Sequence, residues 1–358
     1  MNRIMIALLV IIVIVVIGIG VYGYTAYSGY SQNGTLTIYA ADSLATPINQ
    51  TNAKFNSQYP NVVIQPTYKG SSALISQITT LNKTPDIMIS ANAALIDSKL
   101  IPNYSSYNIQ YAANELVVAY TNKSKNASQI NSNNWYQILS TPGVKYAVSD
   151  PNSDPAGQYS VMMLQLANSY YNNSTIFNNL IANNSAITSV ANNTTNGTTY
   201  VINTPTNENP HGDLTIGADA AALTPLIQTD SIDYLITYKS LAQSANLSYV
   251  ALPAELSLSN ASYQSDYKTI QLKQFSDASN SSTVKMAPII YGITILNNAP
   301  DKKIAEEYVQ LMLGSSGVQI TQNNYLIPIN PAILSNISTN VPSNIQSLVV
   351  NASATNIP

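Results

Sequence analysis

Strand-like and helix-like segments alternate along the chain from residue 36 onward. Short apolar runs at 36–40, 62–65 and 87–89 suit strands, and the segments between them, 47–59 and 72–81, suit helices. Strands that alternate with helices are typical of a sheet of parallel strands covered by helices. The sequence therefore predicts an α/β fold.

Two long apolar strands, predicted at 115–121 and 288–296, bracket a middle segment with strands and helices of its own. If each strand crosses between lobes, the chain leaves a first lobe, builds a second and returns. With 358 residues, the chain is long enough for two packed lobes. We therefore expect two lobes joined by a hinge, with a ligand cleft between them at the carboxyl ends of the strands.

The predicted boundaries follow from these two crossings. The first lobe comprises residues 36–117 and 288–335, and the second comprises residues 118–287. Within the second lobe, residues 172–213 are rich in Asn, Thr and Ser, which indicates a loop-rich surface excursion. Residues 28–35 are predicted to be a flexible linker, and residues 336–358 a polar tail.

The N-terminal segment, residues 1–27, contains an uncharged apolar run from residue 4 to residue 21. Extended to Tyr24, the run has about 20 residues, enough for a helix that spans a bilayer core of roughly 30 Å. Arg3 precedes it and the next cation is Lys54, so most of the chain is expected outside the cell. The sequence predicts a single-pass anchor in the cell membrane; a cleaved signal peptide is the alternative. Several N-glycosylation sequons, including one at Asn33, agree with an external location.

Composition excludes several classes of function. The chain has no Cys, which rules out disulfides, thiolate metal sites and a cysteine nucleophile. Charged residues make up 9% and the net charge is −3, so there is no basic stripe for nucleic acid. His211 is the only histidine, and no G-x-S-x-G or two-histidine metal motif is present. We expect neither an enzyme nor a nucleic-acid-binding protein.

Three loops lead from a strand into a helix through small polar residues: Ala41-Asp42-Ser43, Gly70-Ser71-Ser72 and Asp154-Pro155-Ala156-Gly157. Each offers free backbone N–H groups at the positive end of a helix dipole, and the first two add serine hydroxyls. This is the chemistry of an oxyanion site. Helix capping alone is the alternative, because Ser and Asp are preferred caps. Two such loops in the first lobe and one in the second favour a binding cleft.

Five longer segments resemble one family of receptors. They are N-E-L-V-V-A-Y-T (114–121), N-W-Y-Q-I-L (134–139), D-P-N-S-D-P-A-G-Q-Y-S (150–160), I-D-Y-L-I-T-Y-K-S (232–240) and P-I-I-Y-G-I-T-I-L-N-N-A-P (288–300). In these segments the chain is similar to the archaeal-type tungstate/molybdate-binding proteins, the extracellular receptors of oxyanion ABC importers. The resemblance implies a type II periplasmic-binding-protein fold, molybdate or tungstate as ligand with no cofactor, and permease and ATPase subunits as partners.

The resemblance also implies which residues bind the oxyanion. It assigns Ser43 and Ser71 from the first two loops and Asp154 from the third. Tyr238 and Tyr291 correspond to tyrosines near the cleft. In the family the Asp and a Glu approach the metal centre itself, which implies direct contact between Asp154 and the Mo or W atom of the cargo.

Two positions depart from the family's pattern. Thr237 stands where the family has its Glu, and Ala156 stands where it has a Cys. A neutral hydroxyl cannot replace a carboxylate as a ligand of the metal centre, although Thr237 is kept as a candidate oxyanion-binding residue. Two alternatives therefore stay open. One is a receptor for another tetrahedral oxyanion such as sulfate or phosphate, and the other is a surface protein of the same fold that has lost ligand binding.

Overall fold

The computed structural model describes residues 33–195 and 197–352. The predicted membrane anchor in residues 1–27 and the linker as far as residue 32 lie outside these ranges. Within the described ranges, no helix has both the length and the apolar character needed to cross a membrane.

The described residues form sixteen strands in three sheets. In chain order the strands are β1 (Gly34–Ala41), β2 (Val62–Lys69), β3 (Ile87–Ser90), β4 (Ile109–Ala113), β5 (Leu116–Tyr120), β6 (Tyr146–Ser149), β7 (Thr188–Thr194), β8 (Gly197–Thr204), β9 (Leu214–Gly217), β10 (Tyr234–Tyr238), β11 (Ser248–Ala251), β12 (Ile270–Gln274), β13 (Ser282–Lys285), β14 (Ile290–Ile295), β15 (Ile327–Leu334) and β16 (Val349–Asn351). The first sheet has the strand order β16-β15-β4-β14-β3-β1-β2, the second has β11-β5-β10-β6-β9, and the third has β13-β12-β8-β7.

Helices connect these strands and cover the sheets. In chain order they are α1 (Ala45–Gln58), α2 (Ser71–Thr79), α3 (Ala93–Lys99), α4 (Trp135–Leu139), α5 (Pro155–Tyr170), α6 (Ile176–Leu180), α7 (Ala220–Gln228), α8 (Lys239–Ser244), α9 (Ala254–Ser257), α10 (Gln264–Tyr267), α11 (Lys302–Leu313), α12 (Ser315–Asn323) and α13 (Ser343–Gln346).

The α/β prediction is confirmed, but the sheets are mixed rather than parallel. Strand β1 runs parallel to β2 and β3, whereas β14 runs antiparallel to both β3 and β4. The chain leaves the first sheet after β4 and returns to it as β14. On its return, β14 pairs with β4 in the antiparallel direction. The chain thus leaves the first sheet for the second at residues 114–115, and it returns to the first sheet from the third just before β14.

The core lies on both faces of the central strands. Strands β3, β10 and β14 are buried along their whole length, as expected for strands covered by helices on both sides. In the first sheet's helical layer, Phe55 of α1 packs against Tyr308 of α11 with ring centroids 5.3 Å apart.

The structure differs from the prediction in two segments. The predicted loop-rich excursion at 172–213 contains the antiparallel hairpin β7–β8, and β8 pairs with β12, about 70 residues further along the chain. The predicted polar tail contains α13 and β16, and β16 pairs with β15. Most side chains of β7 are exposed, so its Asn, Thr and Ser residues show no apolar alternation that would reveal a strand.

Candidate functional site

The three strand-to-helix loops lie at the carboxyl ends of β1, β2 and β6. Ser43 lies in the 3-10 turn Asp42–Leu44 after β1, Ser71 is the first residue of α2, and Asp154 immediately precedes α5. Because Pro155 has no N–H to satisfy, it suits the first position of α5, where an amide would have no partner within the helix. In each of the three loops, the local sequence therefore begins a helix or a 3-10 turn shortly after the strand ends.

The second and third loops are in contact, although they belong to different sheets. The amide of Ala73 donates to the carbonyl of Ser153 at 3.4 Å, and Nε2 of Gln158 donates to Oγ of Ser72 at 2.9 Å. A Cβ added to Gly70 would lie 2.5 Å from the Ser153 carbonyl oxygen. Only glycine allows this approach, because real Cβ atoms do not come so close to a backbone oxygen.

Ser71 is fully buried at this contact. Its Oγ accepts a hydrogen bond from the amide of Ala91 at 2.9 Å, which ties the start of α2 to the end of β3. A Cβ on the preceding Gly70 would lie 3.0 Å from Cα of Asp154, so Ser71 and Asp154 belong to neighbouring loops. The Ser71 hydroxyl retains its own proton for donation to another acceptor.

The N-terminus of α7 brings together aspartates from three elements. Asp154, Asp42 and Asp219 accept hydrogen bonds from the backbone amides of residues 220, 221 and 222, at 3.0, 3.0 and 2.7 Å respectively. Asp219 is the N-cap of α7 itself, whereas Asp42 follows β1 of the first sheet and Asp154 follows β6 of the second. The N-terminal amides of α7, which have no partner within the helix, therefore donate hydrogen bonds to carboxyl groups that follow strands of both larger sheets.

Hydroxyl groups converge at the two crossings of the chain. Nδ2 of Asn114, at the first crossing, donates to the hydroxyl of Tyr291 on β14 at 2.9 Å and to Oγ of Ser240 at 2.8 Å. The hydroxyl of Tyr291 lies 3.5 Å from Oγ of Ser43. The rings of Tyr291 and Tyr238 are 6.1 Å apart between centroids.

Electrostatic interactions link these hydroxyls to the aspartates. The pKa values of Tyr238 and Tyr291 are both raised, mainly by burial. The negative charges of Asp42 and Asp154 raise both pKa values further. We call Asp42, Ser43, Asp154, Tyr238 and Tyr291 the inter-sheet cluster. The structure thus brings together four of the sequence-predicted site residues, with Ser71 in the adjoining loop.

Thr237 is the predicted site residue that the structure places apart. Successive side chains of a strand point to opposite faces, so Thr237 shares the face of Leu235 rather than that of Tyr238. Leu235 packs with Leu223 of α7, whereas Tyr238 belongs to the core on the other face. Among the described residues, the Thr237 hydroxyl is buried and has no hydrogen-bond partner.

Polar atoms in the inter-sheet cluster and next to it are buried without a partner among the described residues. These are Oδ1 of Asp42 and the hydroxyl of Tyr238, together with the hydroxyl of Tyr159 on α5, which interacts electrostatically with Tyr238. Buried polar groups in native proteins almost always have a hydrogen-bond partner. The cluster therefore has spare capacity for a small polar ligand.

Burial and like charge raise the pKa values of both cluster aspartates. The pKa of Asp42 is raised to about 6, first by burial and then by the charge of Asp219. The pKa of Asp154 is raised well above its ordinary value, first by burial and then by the charge of Asp42. In the part of the chain that the structure describes, the ion pairs are Lys123–Asp230 and Lys239–Glu115. Neither cluster aspartate is neutralised by a lysine.

The cluster is not a metal-ion site of the ordinary kind. Over residues 33–195 and 197–352, no group of three or more His, Asp or Glu side chains is arranged to hold a metal ion. Two carboxyl groups surrounded by hydroxyls and helix amides can instead accept and donate hydrogen bonds to a compact polar ligand.

Sequence reasoning missed several residues of this region. The resemblance does not assign Asp42 to the site, although Asp42 directly precedes Ser43 in the first loop. Asn114 and Tyr159 were also unassigned, and both lie within the segments that carry the family resemblance. The position of Asp219 could be found only from the fold, because the loop that contains it has no distinctive motif.

Comparisons with known proteins identify the family. Residues 36–325 match the family described as bacterial extracellular solute-binding protein. An uncharacterized solute-binding protein of Methanococcus maripaludis strain C7 is 35% identical over 328 residues, which cover 91% of this chain and 92% of that protein. The molybdate/tungstate-binding protein WtpA of Thermococcus kodakarensis is 32% identical over 322 residues, covering 88% of this chain and 87% of that protein.

The fold is also that of solved binding proteins. The periplasmic molybdate-binding protein of Azotobacter vinelandii superposes with a TM-score of 0.55 at 13% sequence identity, covering 82% of this chain and 98% of that one. The expectation that the chain is a transport receptor rather than an enzyme is confirmed by the family match. The chain belongs to the extracellular solute-binding proteins.

Proposed function

We propose that the chain binds molybdate or tungstate between its first and second sheets and delivers it to an ABC importer. The observation that carries the proposal is the inter-sheet cluster, in which two buried oxygens without a partner among the described residues, Oδ1 of Asp42 and the hydroxyl of Tyr238, come from the first and the second sheet. The similarity to the molybdate/tungstate-binding WtpA of Thermococcus kodakarensis supports the same ligand. Ser43, Ser71, Asp154, Tyr238 and Tyr291 act as oxyanion-binding residues in a cleft of the type II periplasmic-binding-protein fold.

The donors of such a site are neutral. Hydroxyls of Ser43, Tyr238 and Tyr291 and backbone amides at the starts of α2 and α5 hold the oxyanion oxygens, because a helix N-terminus carries roughly half a positive charge. No lysine is needed for this binding. Thr237, on the opposite face of β10, takes no part in it.

The two cluster aspartates favour a metal oxyanion over sulfate. A carboxylate beside a dianion is repulsive, by about 4 kcal/mol for each pair of unit charges 4 Å apart at an effective dielectric of 20. Protonation removes this repulsion, and so does direct contact between a carboxylate oxygen and the Mo or W atom. The sulfur atom of sulfate accepts no additional oxygen ligand. Asp42 compensates for the absence of the family's Glu at Thr237.

The N-terminal apolar segment tethers the receptor to the outer face of the cell membrane. A tethered receptor stays close to its permease, and this raises its effective concentration there. The permease and ATPase subunits of the importer are the protein partners.

Calorimetric titration of the purified full chain tests the function. We expect binding of tungstate and molybdate, and weaker binding of sulfate and phosphate. Heat from sulfate or phosphate but not from the metal oxyanions would favour the alternative receptor. Absence of heat from all four anions would favour a surface protein that has lost its ligand.

Replacing Tyr291 with phenylalanine is expected to weaken tungstate binding by about five- to tenfold, since a hydrogen bond contributes about 1 kcal/mol. The matched control is Tyr308→Phe. Tyr308 is another buried tyrosine, and its hydroxyl donates to Asn52 at 2.7 Å between α1 and α11. Equal affinity losses in the two variants would contradict a role of Tyr291 in binding.

A further inference from the structure

The turn that carries Asp154 is hydrogen-bonded to residues at the ends of strands in the third sheet. Asn152, which is only 3% exposed, points into that sheet. Its Oδ1 accepts from Oγ1 of Thr204 at 2.8 Å and from the amide of Phe275 at 2.8 Å. Its Nδ2 donates to the carbonyl of Pro205 at 2.9 Å and to the carboxylate of Glu208.

The backbone of the same turn is held by a second side chain. Nε2 of Gln274, at the end of β12, donates to the carbonyls of Asn152 and Pro151 at 2.7 and 3.3 Å. Oε1 of Gln274 accepts from Ser282 of the neighbouring strand at 3.1 Å. The ends of β8 and β12 of the third sheet therefore contact this turn, and β13 holds the Gln274 side chain through Ser282.

Asn152 uses the full hydrogen-bonding capacity of its amide group. An asparagine side chain has two N–H donors and two acceptor lone pairs, and each has a partner here. A fully satisfied buried amide holds one orientation. Neither alanine nor aspartate can reproduce this set, because alanine has no polar atoms and ionised aspartate has no donor.

The next two residues of the turn, Ser153 and Asp154, are hydrogen-bonded to the first sheet's second loop and to α7 instead of to the third sheet. The carbonyl of Ser153 accepts from the amide of Ala73 in the loop of the first sheet. The carboxylate of Asp154 accepts from the amide of Ala220 at the start of α7. The turn is thus fixed on one side by the third sheet, and it presents its ligand-facing side to the inter-sheet cluster.

We propose that Asn152 is a positioning residue for the oxyanion, and that the third sheet is the scaffold against which it fixes Asp154. This inference rests on the proposed function. It gives the segment 172–213 a role, because Thr204, Pro205 and Glu208 all belong to it. Hydrogen bonds that fix ligand-contacting groups before the ligand arrives reduce the entropy lost on binding and so improve affinity.

Tungstate titration of the full chain tests the proposal with Asn152→Ala and Asn152→Asp. We expect each variant to bind tungstate about tenfold more weakly, which is the lower end of the effect of residues that orient ligand-contacting groups. The matched control is Asn324→Ala, because Asn324 is also a buried amide that donates twice, to Gln50 and Ile320, at 2.8 Å each. A folded Asn152→Ala variant with unchanged affinity would overturn the proposal.

A second substitution should rescue the aspartate variant. Combining Asn152→Asp with Glu208→Gln exchanges donor and acceptor across the same contact and removes the repulsion between two carboxylates. We expect the double variant to recover part of the lost affinity. A merely structural role would give equal affinities in the single and double variants.

Amide hydrogen exchange of residues 152–154 in the ligand-free chain separates this proposal from the proposed function. We expect faster exchange in Asn152→Ala than in Asn324→Ala. If the wild-type chain binds none of the anions but exchange still increases, the proposed ligand is wrong and the positioning of the turn is supported. Unchanged exchange in Asn152→Ala would overturn the positioning role whether or not tungstate binds.

Discussion

Replacing Gly70 with alanine is expected to weaken tungstate binding by about 30-fold. The added Cβ would lie 2.5 Å from the carbonyl oxygen of Ser153 and 3.0 Å from Cα of Asp154, so the loops of the two sheets could not approach as closely. Overpacking of this kind costs about 2 kcal/mol, and each 1.4 kcal/mol is a tenfold change in affinity. The measurement is a calorimetric titration of the full chain with tungstate.

The matched control for this substitution is Gly314→Ala. Gly70 and Gly314 each precede a helix with a negative φ, so alanine is compatible with the backbone at both positions. At Gly314 the nearest atom to an added Cβ is the carbonyl oxygen of Gln310, at 3.1 Å. We expect wild-type affinity in the control. Wild-type affinity in Gly70→Ala as well would mean that the contact between the two loops contributes nothing to ligand binding.

Replacing Asp42 with asparagine is expected to stabilise the protein at pH 8 by about 3 kcal/mol. The pKa of Asp42 is raised from 3.8 to about 6 by burial and by the charge of Asp219. Each pKa unit corresponds to about 1.4 kcal/mol. Because the folded-state pKa is raised, the contribution of the protonated group to stability is fully present below about pH 4 and is lost as the pH rises through 6. Asparagine keeps an acceptor for the amide of Ala221 and carries no charge.

Urea unfolding at pH 4 and pH 8 measures this effect. The gain should be large at pH 8 and close to zero at pH 4. Asp277→Asn serves as a control of opposite sign, because the amide and hydroxyl of Thr206 lower the pKa of this exposed carboxylate. Its small stabilising contribution is present at neutral pH and lost in acid. A gain from Asp42→Asn that is equal at both pH values would show that ionised Asp42 is not penalised in the folded protein.

Local sequence patterns were sufficient for the parts of the fold that depend on local signals. The strands β1 to β3 and the helices between them follow from apolar spacing, and the double Asp-Pro turn marks the start of α5. Ser43 and Tyr291 were assigned to one site through the resemblance, and their hydroxyls lie 3.5 Å apart although 248 residues separate them in the chain.

Features set by long-range pairing could not be predicted from the sequence. The third sheet depends on the pairing of β8 with β12, and strand β7 has few buried side chains to reveal it. The place of Thr237 depends on which face of β10 is turned to the inter-sheet cluster, and that register is decided by the neighbouring strands. The role of Asp42 depends on α7, a helix that begins 178 residues after it (220 − 42).

The hydrogen bond from Asn114 to Tyr291 joins the point at which the chain leaves the first sheet to β14, the strand on which it returns. Nδ2 of Asn114 also donates to Ser240, which follows β10 of the second sheet, so rotation of one sheet relative to the other would strain these two hydrogen bonds. Under the proposed function, the bound oxyanion and the movement of the two sheets would both act on the hydroxyl of Tyr291. A permease that pulled the two sheets apart would then weaken oxyanion binding through this hydroxyl, without contacting the oxyanion itself.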